Sequence, residues 1–175
     1  MVIESEAFVE LGRAWTKHYL RYCTAMAMVA PSMAIRIRAN ALKGVRFGRD
    51  PWLGVLAYLD IHHSHPDRHN SLVIGDHVAI GNNVSMYTHD SLYRQITGGM
   101  EPVDFGYVVI GDYVNVSPNS FIYNSTIGSH SIVAPHAVVF GSTFPPYSLI
   151  AGNPGRVVKN VQERVERHRP GQVAP

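Results

Sequence analysis

From residue 44 onward, an aliphatic or aromatic side chain returns every six residues. The first run is Phe47, Leu53 and Leu59, and it is followed by Ile74, Ile80 and Met86. The same spacing returns at Ile110, Val116 and Ile122, then at Ile127, Val133 and Val139. A period of six suits neither a 3.6-residue helix nor an alternating strand joined by hairpins. Glycine often follows the apolar position, as at Gly48, Gly54, Gly75, Gly81, Gly111 and Gly128. Four positions after the apolar residue comes a small or β-branched one: Val78, Val84, Val114, Ser120, Ser131 or Ala137. The pattern predicts short strands separated by tight corners, with one inward side chain per hexad and glycine relieving the corner. Each coil then pairs its backbone with the coils above and below, satisfying hydrogen bonds that a lone coil leaves open. The expected fold class is an all-β solenoid.

Residues 60–73 (DIHHSHPDRHNSLV) and 87–109 interrupt the repeat as excursions, and the register is one residue short between Ile122 and Ile127. In a solenoid such insertions leave as loops without disturbing the stack, and loops of this kind commonly carry function. Before the repeat, Phe8, Leu11, Trp15, Tyr19, Tyr22 and Met26 recur at gaps of three and four. That spacing predicts a helix over residues 4–29 whose aromatic stripe docks onto the body. Pro31 breaks it, and Ser32 can cap a second helix through about Leu42. The expected organisation is a helical extension over 1–43, a β-helix over 44–159, and a short charged helix with a loose tail over 160–175.

Composition narrows the class further. Hydrophobic residues make up 46% of the 175 and charged residues 16%, which argues for a folded chain rather than a disordered one. The net charge is only +2. The basic stretches at Arg36–Arg49 and Arg164–Arg169 read as solvated faces, and no nucleic-acid module is expected. Cys23 is the single cysteine, so no internal disulfide can form. The opening MVIESEAFVE lacks the order of a signal peptide. The apolar run from Cys23 to Ala30 is far short of the roughly 20 residues a transmembrane helix needs. A cytoplasmic location is the expectation.

Three segments carry a resemblance: IGDHVAIGNNVSMYTHD (74–90), VVIGDYVNVSPNSF (108–121) and IGSHSIVAPHAVVFGSTFPPYSLIAGNPGRVVK (127–159). Together with the repeat they resemble the hexapeptide-repeat acyltransferases, over about residues 44–160. The branch that acetylates sugars and antibiotics is the most similar. The resemblance implies a left-handed parallel β-helix, against the usual preference for right-handed crossovers. It also implies acetyl-CoA as acyl donor, no metal, and a homotrimer with each active site in a groove between adjacent subunits.

His89, in MYTHDS at the mouth of the second excursion, matches the family's catalytic position. Acyl transfer to a hydroxyl needs a base near neutral pH, and an imidazole, with an ordinary pKa of about 6.5, suits that task. The base needs an acceptor on its other nitrogen. Asp90 is adjacent, but neighbours on an extended chain point apart, which leaves that acceptor unnamed. By resemblance, Asp60 and Tyr87 are expected to bind the acceptor substrate, with a corner-capping role for Asp60 the alternative its position leaves open. By resemblance, Arg156 and Lys159 contact the phosphates of CoA, while Asn115, Ser117, Ala134, Pro135 and Gly141 lie along its path. Two positions depart from the pattern: Asn115 stands where relatives commonly carry tryptophan, and Phe140-Gly141 where they commonly carry Thr-Lys.

His62, His63, His65 and His69 form one local run without fixed ligand spacing, so the run is expected to line the acceptor groove or face solvent. Two alternatives to acyl transfer remain open. A zinc carbonic anhydrase-like enzyme shares such a repeat, but His77, His89, His130 and His136 are not spaced in its manner. A non-catalytic scaffold is the other. The acceptor, whether saccharide, antibiotic or lipid-linked glycan, is undetermined by sequence.

Overall fold

A computed structural model describes residues 18, 19 and 21–168. The hexads become three parallel sheets wrapped around one core. The first sheet stacks Arg46–Phe47, Leu72–Ile74, Val108–Ile110, Ser125–Ile127 and Thr143–Phe144. The second stacks Trp52–Leu53, Ala79–Ile80, Asn115–Val116, Ile132–Val133 and Ser148–Ala151. The third stacks Tyr58–Leu59, Ser85–Tyr87, Phe121–Tyr123 and Val138–Phe140.

Register places the sequence period directly into columns. Phe47, Ile74, Ile110, Ile127 and Phe144 are successive partners on the first sheet. Leu53, Ile80, Val116, Val133 and Ile150 stack on the second, and Leu59, Met86, Ile122 and Val139 on the third. All of these except the partly buried Phe47 belong to the buried core. The residues four positions on from the apolar one, from Val78 to Ala137, are buried as well. Each coil thus supplies one layer of the core, and these hexads bury two positions rather than the single inward side chain expected.

The glycines serve a different purpose from the one expected. None of Gly48, Gly54, Gly75, Gly81, Gly111 and Gly128 adopts a left-handed φ; that conformation falls two residues later, on Asp50, Leu56, His77, Asn83, Tyr113 and His130. What demands glycine is the approach of the next coil. A Cβ on Gly81 would lie 2.6 Å from the backbone nitrogen of Pro118. The corner is turned by non-glycine residues, and glycine lets the coils stack at strand spacing.

The helical extension closes the open end. Residues 21–29 and Met33–Lys43 are helical, with Ser32 at the expected N-cap position but making no side-chain cap bond. The first coil has no coil beneath it, so its carbonyls need other donors. Buried Arg36 donates to Leu53 O at 2.8 Å and Ala30 O at 2.6 Å, and buried Lys43 donates to Leu59 O at 2.6 Å. Met28 O accepts from Leu56 N at 2.8 Å.

Among the described residues, the aromatic members of the expected stripe do not dock. Phe8, Leu11 and Trp15 lie outside the described residues, while Tyr19 and Tyr22 are exposed. Cys23, Ala27 and Ala30 are the buried face, because small side chains let the helix backbone come close to the coil.

At the far end, Arg156–Asn160 pairs antiparallel with Ser148–Ala151, and Gln162–Glu166 forms the short final helix. No helix among the described residues is long and apolar enough to cross a membrane.

Candidate active site

His89 sits where the third sheet ends on the second coil. The strand Ser85–Tyr87 stops, Thr88 turns inward and is fully buried, and His89–Asp90 leaves the stack to pair antiparallel with Asp104–Phe105. The helix Leu92–Ile96 lies within the hairpin this pair closes. One coil below, Leu59 is in register with Met86, which brings Asp60 beneath Tyr87. Thr88 Oγ1 donates to Asp60 O at 3.1 Å, tying the two strand ends together.

This stacking brings His89 Nδ1 to 2.7 Å from Asp60 Oδ2. Both atoms are buried, and neither has another hydrogen-bond partner among the described residues. The other carboxylate oxygen, Asp60 Oδ1, accepts from the Tyr58 hydroxyl at 3.0 Å. With Nδ1–H directed at a carboxylate, the neutral imidazole presents an unprotonated Nε2. The hydrogen bond to Asp60 raises the pKa of His89 against the opposing effect of burial. Burial alone would raise the Asp60 carboxyl, but its bond to His89 and the charges of His89 and Lys43 hold it below the ordinary range. Tyr58 is pushed up by burial and by the Asp60 charge, so its hydroxyl stays a donor.

The walls come from both excursions and the third sheet. The His62 ring lies 4.6 Å from His89 and 5.6 Å from Phe105. Its Nδ1 accepts from Ser64 N at 3.2 Å, which leaves Nε2 carrying the proton. Burial, and then the His89 charge, lower its pKa and keep it neutral. Tyr87 lies 6.4 Å from His89 and packs against Phe121 at 5.4 Å.

The histidine run is therefore divided in use. His65 is buried, accepts from Asp67 N at 3.1 Å, and donates from Nε2 to Gly106 O at 3.1 Å, pinning one excursion to the other. His63 and His69 are exposed. No group of three or more His, Cys, Asp or Glu among the described residues is placed to hold a metal. His77 and His130 alternate with Tyr113 and Tyr147 in a stacked column, at ring spacings of 4.8, 5.0 and 5.2 Å.

The residues expected along the donor fall in three places. Asn115 and Lys159 line a groove of about 970 Å³ on the second sheet, together with Tyr113, His130, Arg164 and Arg167. Ser117, Ala134 and Pro135 occupy the corner between the second and third sheets. Gly141 turns the corner after the third sheet, its N–H donating to Tyr123 O at 3.1 Å, above the corner from which His89 departs. Arg156 is exposed and is not part of the groove, and neither is His89.

Arg164 and Arg167 are exposed, as the reading of solvated charge expects, and they also share the groove with Lys159 because the last helix folds back against the sheet. Tyr58 and Lys43 were not expected at the site, and Asp60 was expected to touch substrate rather than His89. Aligning the hexads ending in Leu59 and Met86 would have placed Asp60 one coil under Tyr87, two residues from His89.

No family model matches the chain, and no curated protein matches it. Solved structures do. A hexapeptide-repeat acetyltransferase from Vibrio cholerae O1 biovar eltor, solved with acetyl coenzyme A, is 22% identical over 91% of this chain and 92% of its own, with a TM-score of 0.62. A galactoside acetyltransferase solved with coenzyme A is 17% identical over 100% of this chain and 94% of its own, with a TM-score of 0.60. A maltose O-acetyltransferase from Clostridium difficile 630 is 20% identical over 89% of each chain, with a TM-score of 0.51. At these identities the likeness is one of fold. The chain is a left-handed parallel β-helix, the fold shared with hexapeptide-repeat acetyltransferases.

Proposed function

We propose that this protein is an acyltransferase that moves an acetyl group from CoA to a hydroxyl of a saccharide or similar small molecule, with His89 as general base. The observation that carries this reading is the His89–Asp60 pair, 2.7 Å apart at the mouth of a loop hairpin. Neutral His89 takes the acceptor's hydroxyl proton at Nε2 as that oxygen attacks the thioester carbonyl. When the C–S bond breaks, the imidazolium returns the proton to the departing thiolate. Asp60 holds Nδ1 throughout and stabilises the imidazolium. Its two oxygens are already engaged by His89 and Tyr58, so the acceptor contacts fall to Tyr87 and to the Nε2–H of His62.

The donor is an anion, and the groove with Lys159, Arg164 and Arg167 supplies cations that pair well with phosphate. Asn115 lines the same groove, and Arg156, Ser117, Ala134, Pro135 and Gly141 keep the donor-side roles that the resemblance implies. A homotrimer with the site between copies belongs to the same reading. Leu92, Tyr93, Ile96 and Met100, all exposed on the hairpin that begins at His89, support it. A reducing, cytoplasmic setting suits the free, buried Cys23.

The test is acetyl-CoA turnover on a panel of hydroxyl acceptors, with His89→Ala beside the parent. A loss of about 10²- to 10⁴-fold is expected for the variant. Equal turnover by both proteins removes His89 from the mechanism, and none by either favours a non-catalytic scaffold. Titration of CoA into Lys159→Ala should show weaker binding than to the parent, while acceptor KM stays unchanged.

A further inference from the structure

We propose that Lys43, at the end of the helical cap, is a positioning residue for the His89–Asp60 pair, holding Asp60 in place and facing it with a positive charge. The inference rests on the reading of His89 as the base.

Lys43 Nζ donates to Leu59 O at 2.6 Å, the carbonyl of the peptide unit that leads into Asp60. It also lies 5.5 Å from the centre of the Tyr58 ring, whose hydroxyl donates to Asp60 Oδ1 at 3.0 Å. Two routes from one ammonium therefore end on the same residue, one on the backbone of Asp60 and one on its carboxylate. The lysine itself is held firmly. Its own carbonyl accepts from Arg68 Nε and Nη2 at 3.0 and 2.7 Å, and Gly44 turns the chain directly after it with φ of 116°.

Capping one carbonyl requires only a neutral donor. A buried ammonium is more than that task needs, and it bears a desolvation penalty that pushes Lys43 down to about 8. The charge of Asp60 works in the opposite sense on Lys43, and Lys43 in turn favours the ionised carboxylate. A cation at this position has a partner, and that partner is the residue orienting the base.

The other titratable groups around the three are Tyr58 and Tyr87 on the third sheet, His62 on the first excursion, Asp90 on the hairpin, Cys23 on the first helix and Arg68. Lys43 is the cation among them that acts on Asp60.

Removing the charge while keeping a donor isolates the effect, and Lys43→Gln does this. Loss of a nearby positive charge makes the dyad hold its proton to higher pH. The acid limb of kcat/KM should therefore move up by about half a unit to one unit, with KM for CoA unchanged. Parent and variant profiles should converge above about pH 8, where Lys43 itself is neutral. A folded Lys43→Gln with an unmoved limb overturns the proposal. Should that variant not fold, the parent still decides: the His89 ring proton, followed by NMR and assigned against His89→Ala, should show a second inflection near pH 8 as Lys43 loses its charge. A single inflection overturns the proposal too. Undiminished turnover by His89→Ala would instead remove the proposed function; loss of turnover there with an unmoved Lys43→Gln limb removes only Lys43.

Discussion

Asp60 Oδ2 and His89 Nδ1 stand 2.7 Å apart across two adjacent coils, each atom buried and neither engaged with another described partner. Burial alone raises a carboxyl and lowers an imidazole, because it disfavours charge on both. Here the pairing reverses both effects: Asp60 stays ionised and His89 binds its proton more tightly than a free imidazole. The pair fixes which nitrogen faces substrate and also sets the pH at which that nitrogen is free.

Replacing Asp60 by Asn keeps the shape and removes the charge. The imidazole then loses its preference for the productive tautomer, and kcat should fall by about 10²- to 10⁴-fold. In the parent, kcat/KM should rise with an acid limb above about 6.5, the ordinary imidazole value, and in Asp60→Asn the limb should move down. Steady-state rates from pH 5 to pH 9 check both directions. A limb common to the two proteins would dissociate Asp60 from the titration.

The same pair makes stability depend on pH. The folded pKa of His89 lies above its ordinary value, so its contribution is complete below about pH 6.5 and is lost as the pH rises through the folded value. The folded pKa of Asp60 lies below its ordinary value, so its contribution is complete above about pH 3.9 and is lost as the pH falls through the folded value. The Tm gap between parent and His89→Ala should accordingly be widest between about pH 4 and 6.5 and should shrink toward pH 9. Scanning calorimetry across that range reads it directly.

Glycine at the hexad corners is required by the neighbouring coil rather than by φ. Gly81→Ala would set a Cβ 2.6 Å from Pro118 N, and the backbone there cannot yield cheaply. A cost of about 1–3 kcal/mol is expected, the usual range for overpacking. His136 turns its corner with φ of 59°, so His136→Gly should change stability by less than about 1 kcal/mol in either direction. Urea unfolding of the two variants compares the effects, and equal costs would count against the close-approach account.

Arg36 ties the helical extension to the first coil by donating to Ala30 O and to Leu53 O. Arg36→Leu should leave these carbonyls without donors at a cost of about 2–6 kcal/mol, at about one to three for each. The expected signature is a lower urea midpoint with an unchanged m value.

The columns of the core were legible in the residues: Ile80, Val116 and Val133 are each the middle member of a run spaced by six in sequence, and they stack one above another in space. A repeat carries its own register, because each coil meets only its neighbours and the same position recurs in each. The position of His89 at a loop mouth followed from the same pattern. Legibility ended where partners come from segments outside the repeat. Asp60 was visible, but its orientation toward His89 depends on two strand ends being stacked and tied by Thr88. Lys43 reaches the site only because a helix packs under the first coil, and Arg164 joins Lys159 only because the last helix turns back on the sheet.

By itself the amino-acid order determined the coil, its layers and the points where the chain leaves them, since those depend on a period that each hexad restates. Tertiary structure alone decided which charges meet. That outcome depends on distances between segments far apart in the chain, and no local spacing encodes them.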